Sequence, residues 1–527
     1  MKRSNLSGMF AILATAVVVF QQPAQADVRT PAVFGNGMVL QRDQSVPVWG
    51  WADPGEDVSV SFREQSKTTK AATDGKWKVT LAPLSLGEPG TLTIQGADKT
   101  LTFTDVLVGE VWICSGQSNM QWNVNSGLDA DLEKAAANHP GIRIFSVPLT
   151  TADVPQEDVN ATWQPCTPQT IGSFTAVGYY YGRELHEVLQ VPVGLIQTAW
   201  GGTRAEAWAS PEIMSKSVNL KPIQESWDDL IAKPENQKAT QEYEPKWQAW
   251  QAAWKKARLA GQPAPARPGH PQNTRWSQHH PSTLYNAMVA PLTPFAIRGA
   301  IWYQGESNAG RAYQYRELMP AVIQSWRDAW GQGDFPFYQV QLANFMAVKD
   351  QPGESAWAEL REAQMITTKA LPNVGAACII DAGVAKDIHP KDKQVVGKRL
   401  SRLALVDVYQ ISGLVRQGPT YQSVTFEGNK AIVKFDNHGA KLISYYKEPL
   451  QGFAVAGADR KFVWGTAKIT GPDTVEIVAE GVNQPVSVRY DWADNPQGNL
   501  YNETYLPAYP FRTDDWEGVT AKNVRAQ

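Results

Sequence analysis

The chain of 527 residues has only three cysteines, Cys114, Cys166 and Cys378. That is too few for a disulfide scaffold or a cysteine zinc site, and an odd number leaves at least one thiol free or paired between chains. Charge of one sign is equally scarce: 49 Lys and Arg stand against 52 Asp and Glu, a net charge of -3. This balance excludes the basic surfaces that nucleic acids and anionic membranes select, so neither is expected as a partner. After the first two dozen residues, no apolar run approaches the roughly 20 residues needed to span a bilayer, so no membrane anchor is expected. A G-x-S-x-G elbow is absent, and no cluster of His, Cys and Asp forms a metal-ligand pattern. No metal and no cofactor are therefore expected.

What is present begins with an export signal. Lys2 and Arg3 precede the apolar stretch Met9 to Phe20, and Ala24-Gln-Ala26 supplies a small-residue cleavage pattern. Residues 1–26 are read as a signal peptide, which predicts a periplasmic or extracellular protein starting at Asp27. Aromatic residues are abundant, with 20 Trp. Indole faces pack well on the C–H faces of sugars, although many of these rings are expected in cores.

The chain is long enough for two or three domains. Over residues 27–104 short alternating runs are broken by turns: Val46–Trp51, Val58–Phe62, Trp77–Leu81 and Thr91–Ile94 read as strands, with Asp53-Pro-Gly55 and Asp74-Gly75 as turn chemistry. Residues 105–415 change rhythm to strands alternating with helices, the pattern of a parallel sheet covered on both faces. Its strands are read at Val111, Ile142–Phe145, Val193–Ile196, Ala300–Tyr303, Phe337–Gln341 and Gly375–Ile380. A polar, tryptophan-rich helical insertion interrupts it at about 211–281, where Trp247, Trp250 and Trp254 share one helical face. Residues 416–527 return to short strands, a second β-rich, sandwich-like region. The fold class is α/β with flanking β regions.

The stretch that organises the α/β part is Val111-Trp-Ile-Cys-Ser-Gly-Gln-Ser-Asn-Met120. A buried strand runs into a tight loop that holds the Ser118 hydroxyl at the carboxyl edge of the sheet, where open α/β folds bind ligands. A serine nucleophile needs a base, an orienting acid and donors for the oxyanion. Of the seven histidines, His389 follows the last strand of the alternating region, in Asp387-Ile-His-Pro390, and Asp387 is placed to hold its ring. Asp381 is a second choice for the acid. The loop Trp200-Gly-Gly-Thr203 offers a backbone N–H, and Gln304 or Asn308 in Gln304-Gly-Glu-Ser-Asn308 a side-chain amide. Ser307 repeats the G-x-S-N pattern but sits beside a carboxylate that disfavours oxyanion chemistry, so Ser118 is preferred. Trp122, Trp200 and Trp302 are read as rings that close a small acyl pocket and contact substrate, with Arg204 as a further substrate-binding residue.

Four of these blocks together resemble the SGNH-hydrolase superfamily, and within it the sialate O-acetylesterase branch: Gly116-Gln-Ser-Asn-Met120, Trp200-Gly-Gly-Thr203, Trp302-Tyr-Gln-Gly-Glu-Ser-Asn308 and Asp387-Ile-His-Pro390. Val33 to Gln41, Leu284 to Met288, and Asn499 to Asn502 with Pro510 to Asp514 are also similar. The resemblance implies a three-layer flavodoxin-like domain and metal-free removal of acetyl groups from sugar hydroxyls. It implies Ser118 as nucleophile, His389 as base, Asp387 as orienting acid, and Ser118 and Gly202 as oxyanion donors. The substrate implied is O-acetylated sialic acid, with acetylated xylan or xyloglucan as the alternative. The rival reading from another class is a non-catalytic carbohydrate-binding protein with a degenerate hydrolase core. It predicts a broken triad, whereas Ser118, Asp387 and His389 are all present.

Overall fold

The computed structural model describes residues 27–259, 265–266 and 268–525. The export signal read at 1–26 lies outside the described residues. Among these residues no helix is long and apolar enough to cross a membrane, and all three cysteines are free and buried.

One strand serves two sheets. β1 (Thr100–Gly116) is alternately exposed over its first half, where it closes the N-terminal β domain, and buried without a break over Val106 to Gly116. The continuous apolar run is what a strand inside a two-sided parallel sheet requires. Further strands join it: β2 (His139–Ser146), β3 (Trp163–Cys166), β4 (Val193–Ala199), β5 (Gly299–Tyr303), β6 (Phe337–Val340) and β7 (Val374–Ala377). Their order across the sheet is β7-β6-β5-β1-β4-β2-β3. Every pairing is parallel except β2 with β3, an antiparallel edge that alternation did not reveal because Trp163-Gln-Pro-Cys166 is short and carries a proline. The principal covering helices are α1 (Ala176–Leu189), α2 (Ala312–Trp330), α3 (Ala356–Ala370) and α4 (Lys393–Asp407). The five residues read as one face of α2 (Ala312, Tyr315, Met319, Val322, Trp326) are all buried.

The N-terminal strands fall within a residue of the positions read from alternation. The polar strand Gln65–Lys70 was not read, because it is paired on one side only and has no apolar face. Gly55 and Gly75 take positive φ of 83° and 77° in the two turns, a conformation that costs glycine nothing. Among its described residues the insertion forms helices Pro211–Lys216, Lys221–Ile231 and Pro234–Leu259 and no strands. Trp247 packs there with Tyr243 and Trp276 in a small separate core. The C-terminal region has two four-stranded sheets sharing one core, with Val433, Phe435 and Ile477 from one and Phe453, Val455 and Val488 from the other.

Polar clamps fix both β regions to the α/β domain. Glu110 of β1 is fully buried and accepts from Gln41 Nε2 at 3.0 Å, Arg42 Nε at 2.5 Å and Arg298 Nε at 2.7 Å. On the other side, buried Arg361 of α3 donates to the carbonyls of Ala493 (2.7 Å) and Asp494 (3.0 Å) at the base of the C-terminal sandwich. A buried ion pair that loses one partner leaves the other charge uncompensated. Glu110→Ala is therefore expected to destabilise the protein by about 3–5 kcal/mol. Chemical denaturation of the two proteins measures this, and a loss under about 1 kcal/mol would mean the clamp is solvated and unimportant.

Candidate active site

The site is built where three strands stop at one level. Ala199 at the end of β4 and Tyr303 at the end of β5 both pair with Gly116 at the end of β1. Gly116 has φ 138°, and a Cβ there would lie 2.1 Å from the Tyr303 carbonyl oxygen, so no other residue fits this close approach. The Gln117 N–H donates to Tyr303 O at 2.9 Å and the Trp200 N–H to Gly116 O at 3.1 Å, which ties the three loops together. The chain then turns at once into a single helical turn, Ser118–Gln121, with Ser118 as its first residue.

Ser118 Oγ lies 2.8 Å from His389 Nε2. The imidazole arrives from the loop between β7 and α4 and is held face to face by Trp122, with ring centroids 5.0 Å apart and planes 15° from parallel. Asp387 Oδ1 accepts the backbone N–H of His389 at 2.8 Å and stands 4.0 Å from ring Nδ1. Its carboxylate therefore shapes the loop by a hydrogen bond and reaches the ring as a nearby charge. Asp381 is elsewhere, paired with Arg399 and accepting from the Tyr501 hydroxyl at 3.1 Å.

The Gly-Gly loop touches the serine directly. A Cβ on Gly201 would come within 3.3 Å of Ser118 Cβ, and the Gly201 N–H is held by Gln121 Oε1 at 2.7 Å. Gly202 has φ 72°. Among the described residues, the N–H groups of Ser118 and Gly202 donate to no protein acceptor. Such a pair of free backbone donors beside a nucleophile can hold a developing oxyanion.

The two amides read as side-chain oxyanion donors are engaged elsewhere. Gln304 is fully buried and donates to Thr203 O (3.2 Å) and Asn308 Oδ1 (2.6 Å), while its own oxygen accepts from Tyr315. Asn308 donates to Glu206 Oε2 at 2.9 Å and accepts from the Ala205 N–H at 3.0 Å. Burial works against ionisation of Glu206, but the Arg311 and Arg204 guanidiniums hold its carboxyl below the usual range. These amides form the buried polar support of the Gly-Gly loop. Ser307 belongs to it too, donating to the Gly202 carbonyl at 2.9 Å.

Of the substrate-contact candidates, Trp302 is removed. It is fully buried between Trp208, Trp326 and Phe337, a core ring beneath the site. Trp122 and Trp200 remain half-buried at the site, the latter edge-on to His270 of the insertion at 6.4 Å. Arg204 immediately precedes the turn Ala205–Trp208, and burial lowers its pKa against the pull of Glu206.

Three residues were not assigned from sequence. Asn119 donates to Glu306 Oε1 (2.6 Å) and Ile388 O (3.0 Å) and accepts from Lys393 Nζ (2.5 Å), so one amide joins the serine loop, the Glu306 loop and the residue before His389. Lys393 is fully buried at the first position of α4, 5.4 Å over the Tyr303 ring. Burial pushes its ammonium down to about 7 and pushes the Glu306 carboxyl up. A lysine at a helix start opposes the helix dipole, and that mismatch was the available signal.

The family profile described as "Carbohydrate esterase, sialic acid-specific acetylesterase" matches residues 108–245 and 264–404, more than half of the chain. The chain belongs to this family. The matched stretches contain all four loops of the site, and the gap between them falls in the tryptophan-rich insertion. The sialate O-acetylesterase of Mus musculus is 29% identical over 95% of this chain and 97% of its own length. That of Homo sapiens is 28% identical over 92% of each. A carbohydrate acetylesterase from Xanthomonas citri of known structure is 37% identical, covers 93% of this chain and 100% of its own, and superposes with a TM-score of 0.78. The protein is an ester hydrolase with a mixed α/β fold.

A base must be neutral to accept a proton. Burial first, and the Lys393 ammonium second, lower the His389 pKa, with Asp387 opposing. The base thus stays competent to lower pH than an ordinary histidine, and activity is lost as pH falls through the depressed value. The acid limb of kcat/KM for p-nitrophenyl acetate is expected below about 6.5. Lys393→Met, which removes a cation that is protonated in that range, should move the limb upward. An unmoved limb would mean that Lys393 does not act on the imidazole.

Proposed function

We propose that this chain is an exported carbohydrate O-acetylesterase that cleaves acetyl esters on sugar hydroxyls by two-step acyl transfer. The observation that carries the reading is the 2.8 Å contact between Ser118 Oγ and His389 Nε2 at the carboxyl edge of the sheet. It stands in a family whose profile is that of acetylesterases. Ser118 attacks the acetyl carbonyl while His389 Nε2 takes its proton. The oxyanion is received by the N–H groups of Ser118 and Gly202. The imidazolium then protonates the departing sugar oxygen. Water, deprotonated by His389, attacks the acetyl-serine, and acetate leaves with Ser118 restored. Asp387 steadies the imidazolium by its charge and its hold on the backbone. The domain is read as the flavodoxin-like SGNH type, and export follows from the signal read at residues 1–26.

The substrate proposed first is O-acetylated sialic acid, in line with the names of the mouse and human relatives. Arg204, beside the Gly-Gly loop, is the candidate cation for a sialate carboxylate. A second reading, acetylated plant polysaccharide, is favoured by the engagement of that cation, since Arg204 is already drawn to buried Glu206.

Two variants and two substrates test this. Ser118→Ala should lose at least about a thousandfold in acetate release, since the oxyanion donors alone retain little turnover. Ser307→Ala removes one loop hydrogen bond and should lose less than about tenfold. Reversed effects would move the nucleophile to Ser307. Acetate measured in parallel from O-acetylated sialic acid and acetylated xyloglucan decides the sugar, and release from neither would reject the carbohydrate reading.

A further inference from the structure

A second cleft, outside the catalytic loops, lies between the C-terminal sandwich and the 341–355 loop that follows β6. Its volume is about 320 Å³, within the range of small-molecule sites. Lys349 and Glu354 line it from the loop, and Gln451, Trp464, Asp491 and Trp492 from the sandwich.

Three features set it apart from a gap left by packing. Trp464 is 44% exposed, yet its ring is fixed, because Nε1 donates across the cleft to the Asp350 carbonyl at 2.8 Å. The part of the indole left open at the cleft wall presents a flat apolar surface to a ligand. Asp491 and Trp492 are buried, and among the described residues Asp491 Oδ1 and Trp492 Nε1 have no hydrogen-bond partner. Such atoms occur elsewhere in the molecule too, at Trp227 and Trp302 among others, but these two belong to residues that line a cleft a polar ligand can enter. Finally, the wall is coupled to the active site. The Met346 N–H donates to Ala385 O at 3.0 Å and the Gly383 N–H to Asn344 Oδ1 at 2.6 Å, and 383–385 lead directly to Asp387 and His389. The loop leaves the same edge of the sheet as Ser118.

Lys349 is paired with Asp494 at 3.2 Å and Glu354 with Arg489 at 2.9 Å, so a ligand suited to this wall offers an apolar face to an indole, hydroxyls that both donate and accept, and no net charge. We infer that the cleft is a glycan subsite, binding neutral pyranose rings of the chain that carries the acetylated sugar. The inference rests on the carbohydrate reading of the catalytic site and extends it from a single sugar to a longer glycan.

The test uses the full chain carrying Ser118→Ala, so that bound glycan is not altered. Calorimetry is run with a deacetylated xyloglucan oligosaccharide and, separately, with sialyllactose, which tells a plant from an animal glycan. One of the two is expected to bind, and adding Trp464→Ala should weaken it about tenfold, the loss of one aromatic stacking contact. Trp464→Phe, which keeps a ring, should retain most of the affinity. With Ser118 intact, Trp464→Ala should raise KM on the acetylated glycan and leave p-nitrophenyl acetate turnover unchanged. Equal binding by Trp464→Ala, or binding of neither oligosaccharide while p-nitrophenyl acetate is still hydrolysed, would overturn the subsite and leave the esterase standing. Absence of acetate release from every sugar ester would instead remove the reading on which it rests.

Discussion

The close approach of Gly116 to the Tyr303 carbonyl organises this molecule. Because no Cβ fits between them, β1 can end flush against β5. The serine loop then emerges between the Gly-Gly loop of β4 and the Glu306 loop of β5. The two hydrogen bonds that flank Gly116 make this arrangement rigid before any side chain is considered. The hydroxyl, the imidazole and the backbone donors are thus assembled by main-chain geometry. Side chains such as Gln121, Asn119 and Asn308 then brace the loops. A site held this way has little to reorganise during reaction, which is the condition for electrostatic stabilisation of an oxyanion.

The same bracing explains why buried polar residues crowd beneath the site. The α/β core there contains Glu206, Gln304, Asn308 and Arg311 in one network and Asn119, Glu306 and Lys393 in another. Burying such groups is costly, and hydrophobic replacements of the same volume would often be as stable. Their use here is geometric. Each network fixes loops from different strands against one another, and the second also sets the field felt by His389.

Much of this was legible in the sequence where physical periodicity was strong. The buried run of β1, the face of α2 and the turn glycines of the N-terminal domain each follow from local chemistry. Ser118 and His389 were legible because parallel strands deliver their ends to one edge, so distant loops meet. Less was legible where one residue type serves two purposes. Gln304 and Asn308 look like oxyanion donors on a strand-end loop, but their amides are consumed in the network under it. Trp302 reads as a pocket wall only until the core beneath the sheet is filled. Lys393 was not singled out in the sequence, because only the fold shows that Asn119 and the Tyr303 ring enclose it. The reach of Asp387 to the ring is a matter of loop shape that spacing does not fix.

The central claim is that Ser118 forms a covalent acetyl intermediate with His389 as its base. The most direct measurement is mass spectrometry of enzyme mixed with p-nitrophenyl acetate, quenched in acid within the first turnovers and digested. One acetyl group on the peptide carrying Ser118, absent from Ser118→Ala, is the predicted result. Acetate released with no acetylated peptide detected, or acetyl on the peptide carrying Ser307, would contradict it.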